Sequence, residues 1–141
     1  MNMTLLDLIN ILDEVALNQP QVKQSVGGDI YNINDDPNVL YGAFARTQGR
    51  HRTDLLEGLT TYNFTLFYVD RLTEDKKNVD EVQSVGVQVL QNILLRLVNM
   101  GIGVQNAELQ PFTQRFSDEC AGMYCVVGLT VTNDTNCEQN F

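Results

Sequence analysis

A single histidine, His51, serves a chain of 141 residues. Any Ser–His–Asp or Cys–His arrangement would have to be built on that one ring. The serines at Ser25, Ser84 and Ser117 lie in no GxSxG context, so a nucleophile elbow is excluded. Cysteine is equally sparse. Cys120, Cys125 and Cys137 make an odd set with no CxxC pair, which fits neither a disulfide framework nor a zinc site. Cys125 falls in an apolar alternation and is expected in the core, whereas Cys137 lies in a polar tail and is expected as a free thiol. Positive charge is short as well: nine Lys and Arg face eighteen Asp and Glu, a net charge of −9. That argues against a strongly basic nucleic-acid binder, though not against a local basic patch. No apolar run approaches the roughly 18 residues of a membrane span. The opening "MNMTLLDLINILDEV" is broken by Asp7, Asp13 and Glu14 and lacks the basic start of a signal peptide, so the chain is expected to stay in a cytoplasm.

Two further absences concern ligands. Gly101-Ile102-Gly103 has no third glycine at the required spacing and ends a helix instead of opening one, so it is no dinucleotide fingerprint. Asp70, Glu74, Asp75, Asp80 and Glu81 do not follow a calcium-loop pattern, and Lys76 and Lys77 sit among them as in a solvated turn. No metal or cofactor is expected. There is no repeat, low-complexity segment or linker. One domain over 1–132 with a polar tail over 133–141 is the expected organisation.

What is present is a clear alternation of elements. An apolar stripe of Leu5, Leu8, Ile9, Leu12, Val15 and Ala16 predicts a helix from Leu5 to Leu17, with Thr4 as N-cap and Pro20 as terminator. Leu6, Ile11 and Leu17 lie off that stripe. Short strands are expected over Val22–Val26, Ile30–Ile33 and Val39–Ala45, with turns at Gly27-Gly28 and at Asp35-Asp36-Pro37-Asn38. Tyr62, Phe64, Leu66 and Tyr68 alternate with Asn63 and Thr65, which predicts a half-buried strand over Tyr62–Val69. Phe67 and Val69 predict that its far end is covered on both faces. Phe64 and Leu66 are expected to occupy different spaces. A long helix is predicted from a cap at Asn78 to about Met100, on the order of 30 Å. Its stripe is Val82, Gly86, Val89, Ile93 and Leu97, widened by Val87, Leu90, Leu94, Leu95 and Val98; Gly101 ends it. "VQNAELQPFTQRFSDECAG" reads as an irregular or short-stranded connection, and Met123–Val131 as a clean strand. The strands over Val22–Val26, Val39–Ala45, Tyr62–Val69 and Met123–Val131 are expected to share one sheet. The fold class is therefore α+β: a mainly antiparallel sheet packed by an N-terminal helix and one long helix.

Between two of these strands lies "RTQGRHRTDLLEGLT", read as a long loop that projects from the sheet. Arg46, Arg50 and Arg52 gather there with His51, and no acid lies nearby in sequence before Asp54. Three readings stay open for the arginines: phosphate or DNA contact, an arm pairing with an acidic neighbouring subunit, or a solvated loop. His51 is expected to be a solvated loop histidine.

Two stretches carry a family likeness. "YNFTLFYVDRLTEDKKNVDEVQSVGVQVLQNILLRL" and "LQPFTQRFSDECAGMYCVVGLTV" resemble tail-terminator or tail-completion proteins of tailed bacteriophages, nearest to those of crAss-like phages. The shared pattern is a strand ending in "VDRL", acidic residues and an asparagine, a serine within a long helix, and "PF…RF.DE.AG" leading into a strand. It covers the chain from Tyr62 onward; before that, only the order of elements agrees. The resemblance implies a tail-terminator-like α+β subunit of a homo-oligomeric ring, six- or twelve-fold. It implies a structural protein of the virion neck or tail, assembled in the host cytoplasm, with no enzyme activity. Its partners would be other neck, portal or tail proteins, with room for non-specific contact with packaged DNA and none with a membrane. In that setting Asp70 and Arg71 form the corner between central strand and main helix and offer charge to a neighbour, alongside Arg46, Arg50, His51 and Arg52. The alternative is a small cytoplasmic ligand-binding domain or enzyme, which needs a pocket with converging polar groups.

Overall fold

The computed structural model describes residues 3–27, 42–73, 77–115 and 119–132. Helix α1 spans Leu5–Leu17 and starts on a reciprocal cap. The Asp7 N–H donates to Thr4 Oγ1 at 3.1 Å, and the Thr4 N–H donates to Asp7 Oδ2 at 3.0 Å. Leu8, Leu12, Val15 and Ala16 form its buried side, and Leu6 and Leu17 stay in solvent. Strand β1 follows over Gln24–Gly27, β2 over Ala43–Gln48, β3 over Arg52–Asp54 and β4 over Leu59–Arg71. Helix α2 runs Val79–Asn99; β5 spans Gly103–Arg115 and β6 Glu119–Thr132. The strand expected over Ile30–Ile33, the turn at Asp35–Asn38, the polar tail and the start of the strand expected from Val39 lie outside the described residues.

Among the described residues the strands make one mixed sheet in the order β1-β2-β4-β6-β5, with β3 pairing with the start of β4. Every pair is antiparallel except β1 with β2. The four expected strands do share this sheet. Both helices lie on one face. There Phe44, Phe64, Leu66, Tyr68, Met123, Cys125, Val127 and Leu129 meet Leu8, Leu12, Val89, Ile93 and Leu97 in a single core. Helix α2 can approach this closely because residue 86 is glycine: a Cβ there would stand 2.8 Å from Met123 Cβ. The helix ends at Gly101, whose φ of 87° is a left-handed conformation natural to glycine.

Three expectations need correction. Phe64 and Leu66 share one space, since residues two apart on a strand point the same way; both are buried on the helix-covered face. The stretch read as an irregular connection is the long edge strand β5. Its alternation is broken by a bulge between Gln105 and Glu108. Val104 pairs with Leu129 and Leu109 with Cys125, so an odd spacing on β5 meets an even one on β6, and both apolar residues reach the helix side. Asn78 precedes α2, but its side chain makes no cap bond to the helix. Instead its Oδ1 accepts the Thr73 N–H at 2.9 Å and its Nδ2 donates to the Arg71 carbonyl, fastening the helix start to the end of β4.

Two core groups give the fold an alkaline limit. Burial, the Asp70 charge and a hydrogen bond to Asp70 push the Tyr68 hydroxyl up to about 12. Burial pushes the Cys125 thiol up to about 12, only partly offset by a backbone hydrogen bond at Leu66. Both groups are neutral acids held protonated by folding. Their stabilisation is complete below the unfolded pKa values and is lost as pH rises towards 12. Tyr68→Phe is expected to make the loss of stability between pH 10 and 12 shallower, by removing the tyrosine's share of it. Urea denaturation across that range checks it; an unchanged slope would contradict the buried-hydroxyl assignment.

Candidate interaction surfaces

The basic stretch is built into the sheet and is not a projecting loop. Arg46 lies within β2, opposite Leu66 of β4, and faces the helices. Its guanidinium meets Asp13 of α1 in a two-point contact, Nε to Oδ1 at 2.8 Å and Nη2 to Oδ2 at 3.0 Å. Ser25 Oγ donates to the same carboxylate at 2.7 Å. The nearby acid thus comes from 33 residues earlier in the chain. Burial alone would raise the Asp13 pKa, but hydrogen bonds from Arg46 and Ser25, with the Arg46 charge, outweigh it and hold the carboxyl below its ordinary value. The stabilisation is present above the unfolded carboxylate pKa and is lost as pH falls through the lower folded value. Arg46→Ser is expected to destabilise the protein by about 1–3 kcal/mol, because it leaves a half-buried carboxylate without its charged partner. Arg50→Ser and Arg52→Ser should each change stability by less than about 0.5 kcal/mol, as exposed charges do. Thermal melts of the three variants check this contrast; equal melting temperatures would contradict it.

The remaining basic residues belong to the hairpin formed by β3 and β4. His51 precedes β3, is exposed, and rests edge-on against Tyr62 with ring centroids 5.1 Å apart. Its Nδ1 accepts the Asn63 N–H at 3.2 Å, which leaves the ring proton on Nε2, 2.9 Å from Gln48 Oε1. Both nitrogens are thereby used in holding the end of β2 to the hairpin. Arg50 and Arg52 are exposed and form no ion pair among the described residues. At the tip, Asp54 Oδ1 accepts the N–H groups of Leu56 and Glu57, each at 3.1 Å, and Gly58 supplies the left-handed residue at φ 69°. This ordered turn holds Leu55 and Leu56 at 82% and 99% exposure. Along the hairpin, a cleft of about 330 Å³ is lined by Arg52, Asp54, Glu57, Thr61, Asn63 and Gln105 among others.

The second surface is the sheet face that no described helix covers. Phe67 of β4, Phe112 of β5 and Tyr124 of β6 form a triangle there with ring centroids 5.9–6.2 Å apart. Phe67 and Phe112 pack on Val69 and Cys120, which are buried beneath them. The far end of β4 is thus covered on both faces, as Phe67 and Val69 predict. Tyr124 donates its hydroxyl to Gln110 Oε1 at 2.7 Å. Beside it, Glu108, Gln110, Tyr124 and Val126 line a cavity of about 380 Å³, and Val126 is 54% exposed. On the helical side a third concavity, lined by Gln19, Asn92, Leu95, Arg96 and Asn99, holds the exposed Leu95.

At the corner of β4, Asp70 Oδ1 accepts the Arg71 backbone N–H at 2.8 Å, and the Asp70 carboxylate is also the hydrogen-bond partner of Tyr68. The Asn78 contacts, not Asp70, join the end of β4 to the start of α2; Glu74, Asp75 and Lys76 lie outside the described residues. Of the sequence-predicted residues, the structure gathers Arg50, His51 and Arg52 on one hairpin. It turns Arg46 inward to Asp13 and places Asp70 and Arg71 at the opposite end of β4. Leu55, Leu56 and the aromatic triangle were missed. An apolar pair directly between Asp54 and Gly58, inside a turn signal, was the available clue to the first. The triangle has no local signal, because its members come from three strands.

The site and fold define an α+β protein with one helix-covered sheet face and one partly aromatic face that no described helix covers. Among the described residues, no group of three or more His, Cys, Asp or Glu is placed to hold a metal ion. No described helix is long and apolar enough to cross a membrane. No protein-family model matches the sequence, and no curated protein matches it.

Proposed function

We propose that this chain is a structural virion protein of a tailed phage, a tail-terminator or head–tail connector subunit that assembles into a homo-oligomeric ring in the neck or tail. The ring joins head and tail and lines or extends the DNA channel, and the chain has no catalytic role. The observation that carries this reading is the distribution of exposed apolar side chains. Leu55 and Leu56 stand at the hairpin tip, Val126 on the open sheet face, and Leu6, Leu17, Leu95 and Val98 on the helices. Apolar surface facing several directions suits a subunit with neighbours on more than one side. The resemblance of the two stretches from Tyr62 onward supports the same assignment, as does a fold with two helices on one face of a sheet. The rival ligand-binding reading has the polar cleft along the hairpin as its best feature. That cleft is open, and its Asp54 is already engaged by two backbone N–H groups.

Deletion of the gene from its phage, followed by electron microscopy of the lysate, tests the proposal. Unjoined heads and tails, or tails of uncontrolled length, are the expected result. Normal infectious particles without the protein would defeat it.

A further inference from the structure

We infer that the concavity between the end of α1 and the last turns of α2 is a binding site for a single carboxylate group on a short aliphatic stem. This goes beyond the ring-subunit reading and depends on no part of it. The site rests on one buried amide. Gln19 is only 8% exposed. Its backbone is satisfied by the turn that leaves α1: the Gln19 N–H donates to the Ala16 carbonyl, and the Gln19 carbonyl accepts the Val22 N–H, both at 3.0 Å. Its side-chain oxygen accepts Asn92 Nδ2 of α2 at 3.4 Å. Nε2, the donor end of the same amide, has no partner among the described residues. A buried donor left without an acceptor is costly, and proteins seldom keep one that nothing uses.

The surrounding side chains decide which acceptor fits. Asn92, Leu95, Arg96 and Asn99 follow one another at helical spacing on α2 and line the concavity with Gln19. No carboxylate is among them, and Arg96 forms no ion pair among the described residues. A cation in the last turn of a helix complements the helix end, which accounts for the charge of Arg96 but not for an amide donor buried in the same concavity. Guanidinium and amide N–H groups together suit an oxyanion, and arginine pairs with a carboxylate through two parallel hydrogen bonds. Phosphate suits the place less, because its second charge would meet no further cation and would lie near the carbonyl ends of α1 and α2. Leu95, 59% exposed, supplies an apolar wall for the stem. The volume of about 280 Å³ lies below the roughly 300–1,000 Å³ of ordinary ligand pockets, so the bound group has the size of a side chain. A free short-chain acid and a glutamate side chain of a second copy present the same group.

Titration of the isotope-labelled full chain with butyrate, followed by NMR, tests the site. Butyrate is expected to shift the side-chain amide signals of Gln19 and the methyl signals of Leu95, with a Kd of about 1–10 mM. Butyramide, neutral and of the same shape, should bind about tenfold more weakly. Arg96→Gln should weaken butyrate about tenfold and erase its advantage over butyramide. Gln19→Met keeps the length of the side chain, removes the donors and should weaken butyrate as well; if that buried variant does not fold, the exposed Arg96 carries the comparison. The inference is overturned by no shift of these signals up to about 100 mM butyrate, by an equal response to butyramide, by tighter binding of inorganic phosphate, or by an Arg96→Gln variant that binds butyrate like the parent. Sedimentation then identifies the source. Self-association that butyrate reverses and Arg96→Gln removes puts the carboxylate on a second copy; a chain that binds butyrate and stays monomeric takes it from a free acid. Both results support the site. Neither bears on the virion role, which the gene deletion decides separately.

Discussion

Leu66→Asp is expected to leave the protein largely unfolded at room temperature. Leu66 is fully buried on the helix-covered face, flanked by Arg46 of β2 and Cys125 of β6. Removing the side chain to alanine would cost about 2–5 kcal/mol from lost burial and the cavity left behind. An aspartate adds the desolvation of a carboxylate. The nearest cation, Arg46, is already held at two points by Asp13. Either the new carboxylate stays unpaired or it takes Arg46 and strands Asp13, so one buried or half-buried carboxylate lacks a partner in both cases. A total loss of roughly 5 kcal/mol or more falls within the whole stability of an ordinary domain, about 5–15 kcal/mol. Urea denaturation followed by circular dichroism checks this against Leu66→Ala. A variant melting within a few degrees of the parent would remove β4 from the centre of the core.

The second large effect is expected at Gly122. A Cβ there would stand 1.8 Å from the Tyr68 carbonyl oxygen and 2.9 Å from Phe112 Cζ. The first obstacle is the backbone of the neighbouring strand, so no rotamer change relieves it; β6 must move away from β4 along their longest shared ladder. Gly122→Ala should destabilise the protein by about 3–5 kcal/mol. Gly58→Ala makes the contrast. Nothing lies within 4 Å of its Cβ, and only the left-handed φ of 69° opposes the change, a cost of about 1–2 kcal/mol. Equal losses in the two variants would mean that the close approach of β4 and β6 at Gly122 is not what fixes that residue as glycine.

How legible these features were depended on whether their cause was local. The N-cap of α1, the stripe of α2 and the buried face of β6 each have a cause within one segment and were readable; the alternation of β4 was readable too, but not that Phe64 and Leu66 share one space. Strand β5 was not, because the bulge at Gln105–Glu108 breaks its alternation and an edge strand has few apolar residues. The bend of Arg46 inward was hidden for another reason. Its partner, Asp13, is on α1, and only the parallel pairing of β1 with β2 and the packing of α1 over them bring the two together. Arg46 therefore drops out of any assembly test: replacing it along with Arg50 and Arg52 would lower stability and assembly together. The paired substitutions at Arg50 and Arg52 keep the two effects apart. Sequence placed Arg50, His51 and Arg52 together, but it was the fold that set two solvent-facing leucines beyond them on one hairpin.

The central claim is that this chain is a ring subunit of a phage neck or tail, and a cryo-electron microscopic reconstruction of the head–tail junction in purified particles tests it most directly. The account predicts copies of this α+β fold repeating around the DNA channel. A junction resolved in full whose rings are all built from other chains would contradict it.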